Sequence, residues 1–114
     1  MVYKSIQERR EHLKRWKHKD KERYMKNWAR NMVYSSRHTD KKKHMYDEIH
    51  HITENFVERI YLFQKHKCYY CDKEMQTKNR QKRDGCTIER LDNNFGHTIK
   101  NCVLACFECN IKKH

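Results

Sequence analysis

The chain lacks proline altogether and has only two glycines, Gly85 and Gly96, among its 114 residues. Proline and glycine are the residues that most often interrupt helices and strands. Their scarcity leaves long stretches of the chain free of helix breakers.

Apolar residues are also scarce, at 36% of the chain against 37% charged residues. Such a chain buries only a small core, and small domains of this kind usually need a staple such as a metal ion. No apolar run approaches ~18 residues, so we expect no membrane span. Residues 1–10 lack the apolar segment of a secretory signal, which predicts an intracellular protein of the cytoplasm, nucleus or virion. Its six cysteines are then thiols or metal ligands rather than disulfides.

Negative charge is in short supply, with 15 Asp and Glu against 27 Lys and Arg, for a net charge of +12. A surplus of this size attracts polyanions, of which DNA and RNA are the commonest. An acidic membrane surface is the weaker alternative. Residues 1–50 hold 15 of the basic residues and 7 of the acidic ones, so the surplus lies mainly near the N-terminus.

Residues 5–33 are predicted to form a basic helix, because Ser5 and Glu8 fit a capping box and good helix formers follow. The large apolar residues of this helix form only a thin stripe: Leu13, Trp16, Tyr24 and Trp28. One interpretation is a solvated helix that becomes ordered with a partner. The other is a basic helix with interleaved aromatic residues that lies along a nucleic-acid backbone. Its phosphate contacts would be Lys14, Arg15, Lys17, Lys19, Lys21, Arg23, Lys26 and Arg30.

Residues 35–43 are predicted to be a linker, because a serine pair, Thr39-Asp40 and three consecutive lysines break the pattern. Residues 47–65 are predicted to form an amphipathic helix that packs on the C-terminal region. Its apolar residues recur at spacings of three and four: Ile49, Ile52, Phe56, Val57, Ile60 and Phe63. The histidines around it are interpreted as ordinary surface or interface residues. The chain is thereby divided into an arm and linker over 1–46 and a second unit over 47–114.

Four of the six cysteines form two C-x2-C pairs: Cys68, Cys71, Cys106 and Cys109. Each such pair presents two thiolates to one edge of a tetrahedral ion, so two pairs predict a closed, structural zinc site. A redox pair or chance occurrence are the alternatives. The other two cysteines, Cys86 and Cys102, are interpreted as small buried apolar residues.

The segment between the two cysteine pairs predicts the order strand, loop, strand and helix. The first strand includes Thr87, turn residues follow at 93–96, and a second apolar strand covers 101–104. A helix over 105–113 places Asn110 on the same face as the two cysteines of the second pair. Two short strands and one helix cannot bury a core alone, which is consistent with a zinc staple.

These motifs resemble the HNH endonuclease family, and within it the zinc-bearing branch related to phage recombination endonuclease VII. The resemblance covers residues 68–113. It rests on the four cysteines, E-R-L-D-N at 89–93, G-H-T at 96–98, Asn101, and C-F-E-C-N at 106–110. It implies an α+β fold in which basic and amphipathic helices precede a small zinc-stapled ββα-metal module. It also implies metal-dependent hydrolysis of phosphodiester bonds in DNA, with RNA as an alternative substrate and a homodimer or nucleoprotein assembly as possible partners.

The resemblance also implies roles for individual residues. Glu89 on the first strand and Asn110 on the helix would bind a catalytic Mg²⁺ or Mn²⁺, ions that prefer hard oxygen ligands. Asn101 would brace the site through the backbone. Arg90 stands where the family usually has its general-base histidine. Arginine cannot accept a proton at neutral pH, but it can stabilise charge that develops on a phosphate.

Two nearby residues could activate the attacking water in place of that histidine. Asp92 is one, and His97, with its suitable intrinsic pKa, is the other. A bound cation would also lower the pKa of the water. The alternative function, which Arg90 favours, is an HNH-like zinc module that does not cleave. It would bind nucleic acid or serve as a structural component of a nucleoprotein or virion assembly.

Overall fold

The computed structural model describes residues 5–113, apart from the side chains of residues 12–18 and 113. Over this range the elements are α1 (Ile6–Lys42), α2 (Glu54–Phe63), β1 (Cys86–Arg90), β2 (Cys102–Cys106) and α3 (Phe107–Lys113). The two strands form one antiparallel sheet, so the fold is a small α+β fold. No helix within the described residues is long and apolar enough to cross a membrane.

Helix α1 begins where the sequence predicts, since Ser5 is its N-cap and the Ser5 hydroxyl accepts a hydrogen bond from Glu8 N–H at 3.1 Å. It then continues for 37 residues to Lys42, so the linker predicted over 35–43 is wrong. The hydroxyl of Ser36 donates to the Met32 carbonyl at 2.8 Å inside the helix, which satisfies the polar group without breaking the helix.

The second half of α1 has a buried face that continues beyond residue 33, where the predicted helix ended. Buried residues recur along it at spacings of three and four: Trp28, Ala29, Met32, Val33, Ser36 and Asp40. The Trp28 ring packs against the Tyr61 ring of α2, with centroids 5.1 Å apart. Trp28 therefore belongs to the core, and not to a surface row of aromatic residues that could stack on nucleic acid.

Helix α2 begins later than predicted. Thr53 is its N-cap, and the Thr53 hydroxyl accepts from Phe56 N–H at 3.2 Å. The residues before it form turns, because the Asp47 carboxylate accepts from the backbone N–H groups of Ile49 and His50, each at 3.1 Å. An aspartate that bonds its own following backbone in this way competes with helix formation.

The buried face of α2 differs accordingly from the predicted stripe. Ile49 and Phe63, both predicted to be core residues, are 85% and 86% exposed. Tyr61, which the predicted stripe omitted, is buried four residues after the predicted Val57, on the same face of the helix. The rest of the predicted stripe is correct, since Ile52 is buried and Phe56 and Ile60 pack against the core.

Strands β1 and β2 form a hairpin with two distinct ends. Cys86 pairs with Cys106 at one end, and Arg90 pairs with Cys102 at the other. All five residues of β2 are buried, and α3 follows it without a loop. A single hydrophobic core includes residues from both sides of the domain boundary predicted between residues 46 and 47. It extends from Ala29 on α1 to Leu104 on β2.

Candidate metal centre and adjoining cavity

Four cysteine side chains meet at the Cys86–Cys106 end of the hairpin. The Sγ atoms of Cys68, Cys71, Cys106 and Cys109 all lie within 4.8 Å of one another, and those of Cys71 and Cys106 are 3.8 Å apart. Four sulfurs bound tetrahedrally at about 2.3 Å from zinc lie about 3.8 Å from each other. The cluster therefore fits a metal ion such as zinc, as the spacing of the cysteines predicts.

Backbone hydrogen bonds hold the first cysteine pair in place. Cys68 N–H donates to the Lys73 carbonyl at 2.8 Å, and Asp72 N–H donates back to the Cys68 carbonyl at 3.0 Å. Asp72 closes this turn with a φ of 60°, in the left-handed region that aspartate tolerates. Tyr69 N–H donates to the Leu104 carbonyl at 3.0 Å, which attaches the turn to β2.

The thiol of Cys68 is prepared to ionise. Burial raises its pKa, but N–H donors from Cys106, Cys71 and Tyr70 together outweigh burial and lower the pKa to about 7. The thiolate is the form that binds metal. Burial, and then hydrogen bonds with the other cysteines, raise the pKa of Cys109 to about 12. A cation at the centre would supply the charge that lets the remaining thiols ionise.

Cys86 and Cys102 lie outside this cluster. Both are buried, and burial raises the pKa of each thiol to about 12. They are inert, small apolar side chains, as the sequence analysis expected.

A cavity of about 630 Å³ runs along β1 from Thr87 to Arg90 and so reaches the other end of the hairpin. Its walls come from α1, β1, α3 and the loops at 80–81 and 93–97. Four of the residues singled out in the sequence line it together: Glu89, Arg90, His97 and Asn110. The fold thus brings into one space side chains that are separated by as many as 21 positions in the sequence.

Glu89 and Asn110 each bring an oxygen-bearing side chain to this cavity. Glu89 is only 2% exposed, and Thr87, two residues earlier on β1, shares its face of the sheet. Asn110 Nδ2 donates to Thr87 Oγ1 at 2.9 Å, and that hydroxyl donates to the Ala105 carbonyl at 2.7 Å. The amide nitrogen of Asn110 is thereby engaged, and its Oδ1 keeps the lone pairs that a hard cation could use.

His97 is held by a residue that the sequence analysis missed. Its Nδ1 lies 2.6 Å from Asp40 Oδ1, and its backbone N–H donates to Asp40 Oδ2 at 2.6 Å. Burial lowers the pKa of His97 below its ordinary value, although Asp40 opposes this shift. Asp40 continues the buried stripe of α1 four residues after Ser36. The helical period would have revealed it if the stripe had been followed past the serine pair.

Asn101 and the two remaining predicted residues shape the loop that carries His97. Asn101 Nδ2 donates to the Asp92 and Gly96 carbonyls at 2.9 and 3.0 Å, and Asn101 Oδ1 accepts from Asp92 N–H at 2.9 Å. Asp92 turns back on the loop, where its carboxylate accepts from Asn94 N–H. Arg90 Nη1 donates to the Phe95 carbonyl at 3.1 Å. Of the two candidate bases, it is His97 that lines the cavity.

The predicted phosphate contacts lie along α1. Five of them are exposed: Lys19, Lys21, Arg23, Lys26 and Arg30. The side chains of the other three lie outside the described residues: Lys14, Arg15 and Lys17. The side chains of the stripe residues Leu13 and Trp16 lie outside them as well. A second basic segment at 78–83 was missed. Arg80 and Gln81 from this segment line the cavity.

Comparisons with known proteins identify little. No family model matches the chain, and no solved structure matches it. The chain is 43% identical over 47 residues to the Uncharacterized protein R423 of Acanthamoeba polyphaga mimivirus. The match covers 41% of this chain and 8% of the length of that viral protein.

Proposed function

We propose that this protein is a metal-dependent nuclease of the HNH endonuclease type that hydrolyses phosphodiester bonds in DNA. One observation carries the proposal: a single cavity is lined by Glu89, Arg90, His97 and Asn110. β1 and α3 contribute to it, and a four-cysteine cluster that fits zinc joins the end of β2 and the start of α3 to the turn at 68–71. A net charge of +12 suits a polyanionic substrate.

The donor atoms at the cavity suit a hard divalent cation. A buried carboxylate on Glu89 and an amide oxygen on Asn110 are ligands that Mg²⁺ or Mn²⁺ prefers, whereas the thiolates of the cysteine cluster suit zinc. When bound there, the cation would stabilise the negative charge that develops on the phosphate and on the leaving oxygen.

The residues of the chain would perform the proton transfer and position the phosphate. His97 Nδ1 carries a proton toward Asp40, so Nε2 is the atom that can take a proton from the attacking water. The water oxygen forms the new bond to phosphorus while the P–O bond to the leaving strand breaks, and solvent protonates the leaving oxygen. Arg90 and Arg80, which both line the cavity, would neutralise phosphate charge.

A plasmid assay tests the proposal. The zinc-loaded protein should convert supercoiled DNA to nicked or linear forms with Mg²⁺ or Mn²⁺, and excess chelator for these ions should stop the reaction. Glu89→Gln and Asn110→Ala should each lower the rate by roughly 100-fold or more, since each removes a ligand oxygen or its charge. The matched controls Glu54→Gln and Asn55→Ala, on α2, should cleave like the wild type. A wild-type protein that cleaves with neither ion would refute the proposal, and full activity in Glu89→Gln would refute the assignment of the site.

The second candidate is a module that binds nucleic acid without cleaving it, alone or within a nucleoprotein or virion assembly. Arg90 favours it, because its guanidinium is hydrogen-bonded to the loop carbonyl of Phe95. This candidate predicts salt-dependent binding that is indifferent to Mg²⁺ and unaffected by Glu89→Gln. Fluorescence anisotropy with a labelled duplex, with and without the cation, separates the two functions.

A further inference from the structure

The carboxylate of Asp40 is fully buried at the last turn of α1, 57 residues before His97 in the sequence. Its two oxygens accept from two different groups of that one residue. Oδ1 faces the ring Nδ1 and Oδ2 faces the backbone N–H, each at 2.6 Å. Two contacts of this kind fix both the position of the loop and the rotation of the imidazole ring.

Other polar and titratable groups surround Asp40. His51 Nε2 lies 3.6 Å from Asp40 Oδ2, and His51 Nδ1 bonds to the Ile52 carbonyl at 2.9 Å. The buried thiol of Cys102 lies close enough to Asp40 to interact with it electrostatically, and Arg90 interacts in the same way with His97. A Cβ at Gly96 would lie 2.6 Å from Asp40 Oδ2, so only glycine lets the loop approach the carboxylate this closely.

The tautomer of His97 follows from this geometry. A carboxylate only accepts, so the ring nitrogen that faces it must carry the proton. Nε2 is then the unprotonated nitrogen of the neutral ring. His97 lines the cavity together with Glu89 and Asn110. In the proposed reaction, the lone pair on Nε2 would accept the proton of the attacking water.

We infer that Asp40 is a positioning residue for His97, and that helix α1 is thereby part of the catalytic site. Asp40 fixes the tautomer and the direction of the ring and does not itself touch the substrate. The inference rests on the proposed nuclease function for its catalytic consequence. The tautomer is a property of the protein that can be measured without any cleavage.

The substitution Asp40→Asn reverses this tautomer. The backbone N–H of His97 can only donate, so the amide oxygen must face it, and the amide NH₂ group is left facing Nδ1. Nδ1 must then accept, which moves the proton of the neutral ring to Nε2. A ring protonated at Nε2 cannot take a proton from water, so we expect kcat to fall by roughly 10²–10⁴-fold with KM nearly unchanged.

Nitrogen-15 NMR of the zinc-loaded protein at about pH 8, where the ring is neutral, measures the tautomer directly. The wild type should show protonated Nδ1 and unprotonated Nε2 at His97, and Asp40→Asn should show the opposite, with helix content and zinc stoichiometry unchanged. The resonances are assigned by their loss in His97→Gln. The wild-type spectrum by itself tests the expected tautomer of His97, even if the Asp40→Asn variant does not fold.

Asp47→Asn is the matched control. Asp47 makes the same pair of contacts with the exposed His50, at 3.1 Å to its N–H and 2.9 Å to its Nδ1, and lies outside the cavity lining. It should leave the His97 spectrum and cleavage unchanged. The inference is overturned if wild-type His97 is protonated at Nε2, or if Asp40→Asn cleaves as fast as Asp47→Asn. A protein that shows the tautomer reversal but never cleaves DNA would refute the proposed function and leave the positioning role intact.

Discussion

The two ends of the hairpin are built in different ways. At the Cys86–Cys106 end, the thiolate end, the two cysteines of each ligand pair are separated by only two residues, so local spacing brings the sulfurs of each pair together. At the Arg90–Cys102 end, the cavity end, Asp40 reaches His97 across 57 positions. The first end depends on local spacing and a metal ion, and the second on the tertiary packing of α1.

This difference implies that the two ends should fail separately. Damage at the thiolate end should remove the staple and unfold the whole C-terminal module. Damage at the cavity end should leave the zinc in place and alter the loop that carries His97. Paired substitutions at corresponding positions of the two ends test this separation.

The largest effect is expected from cysteine substitutions in β2. Cys106→Ser should lose the zinc and unfold, because structural zinc contributes about 10 kcal/mol and a small domain is stable by only about 5–15 kcal/mol. Cys102→Ser, in the same strand but outside the cluster, should keep one zinc and lose about 1–2 kcal/mol through a buried hydroxyl. Zinc stoichiometry and thermal unfolding measure both. Equal zinc content in the two variants would contradict the staple.

The two glycines give the next largest effect. Alanine at Gly85 would place a Cβ 2.5 Å from backbone atoms of Arg80, and alanine at Gly96 would place one 2.5 Å from the Met45 carbonyl. Each should cost about 1–3 kcal/mol of stability through overpacking. Only Gly96→Ala should disturb the His97 tautomer, because its Cβ also displaces Asp40. An altered tautomer in Gly85→Ala would show that the two ends are coupled.

Two amide side chains make a smaller, matched pair. Asn101 bonds the loop at the cavity end, and Gln64 bonds the Lys67 and Leu104 carbonyls and Leu104 N–H near the thiolate end. Each alanine variant should lose about 1–2 kcal/mol in denaturant unfolding. Cleavage, corrected for the folded fraction, should fall only in Asn101→Ala. A comparable fall in Gln64→Ala would contradict the separation.

The smallest effect is a pH dependence of stability at the cavity end. Burial lowers the pKa of His97 below 6.5, with Asp40 opposing and Arg90 and His51 adding to the lowering. The unfolded chain therefore takes up this proton first as the pH falls below about 6.5, and stability is lost from there down through the lowered pKa. His97→Gln should lack this loss. The free energy of unfolding of both proteins is measured from pH 8 to pH 5 at constant zinc. The difference between the two curves gives the contribution of His97, and parallel curves would contradict the lowered pKa.

Local patterns predicted the thiolate end and the start of α1 well. The two C-x2-C pairs, the Ser5 cap and the order strand, loop, strand and helix each depend on residues close in sequence, and all are present in the structure. The placement of Glu89, Arg90, His97 and Asn110 in one cavity agrees with the grouping that the motifs suggested. Their catalytic roles stay predictions.

The errors occurred where tertiary packing outweighs local preference. The serines and Asp40 at 35–43 resemble a linker, because such residues favour turns unless their polar groups find partners. Here Ser36 bonds its own helix and Asp40 bonds His97, so the helix continues. His51 was interpreted as an ordinary surface or interface histidine, and it is buried beside Asp40, a neighbour that the sequence did not indicate.

The amino-acid sequence by itself determined the two C-x2-C pairs of the cluster, because thiolates with two residues between them can share an ion in almost any surrounding fold. The packing of the turn at 68–72 on β2 brings the two pairs together. The sequence also determined the helical propensity of α1 and the basic charge along it. Only the tertiary structure decided that α1 continues to Lys42 and that its last turn places Asp40 against His97. A contact between residues 57 positions apart depends on how α1, α2 and the hairpin pack around one core, and no local spacing encodes it.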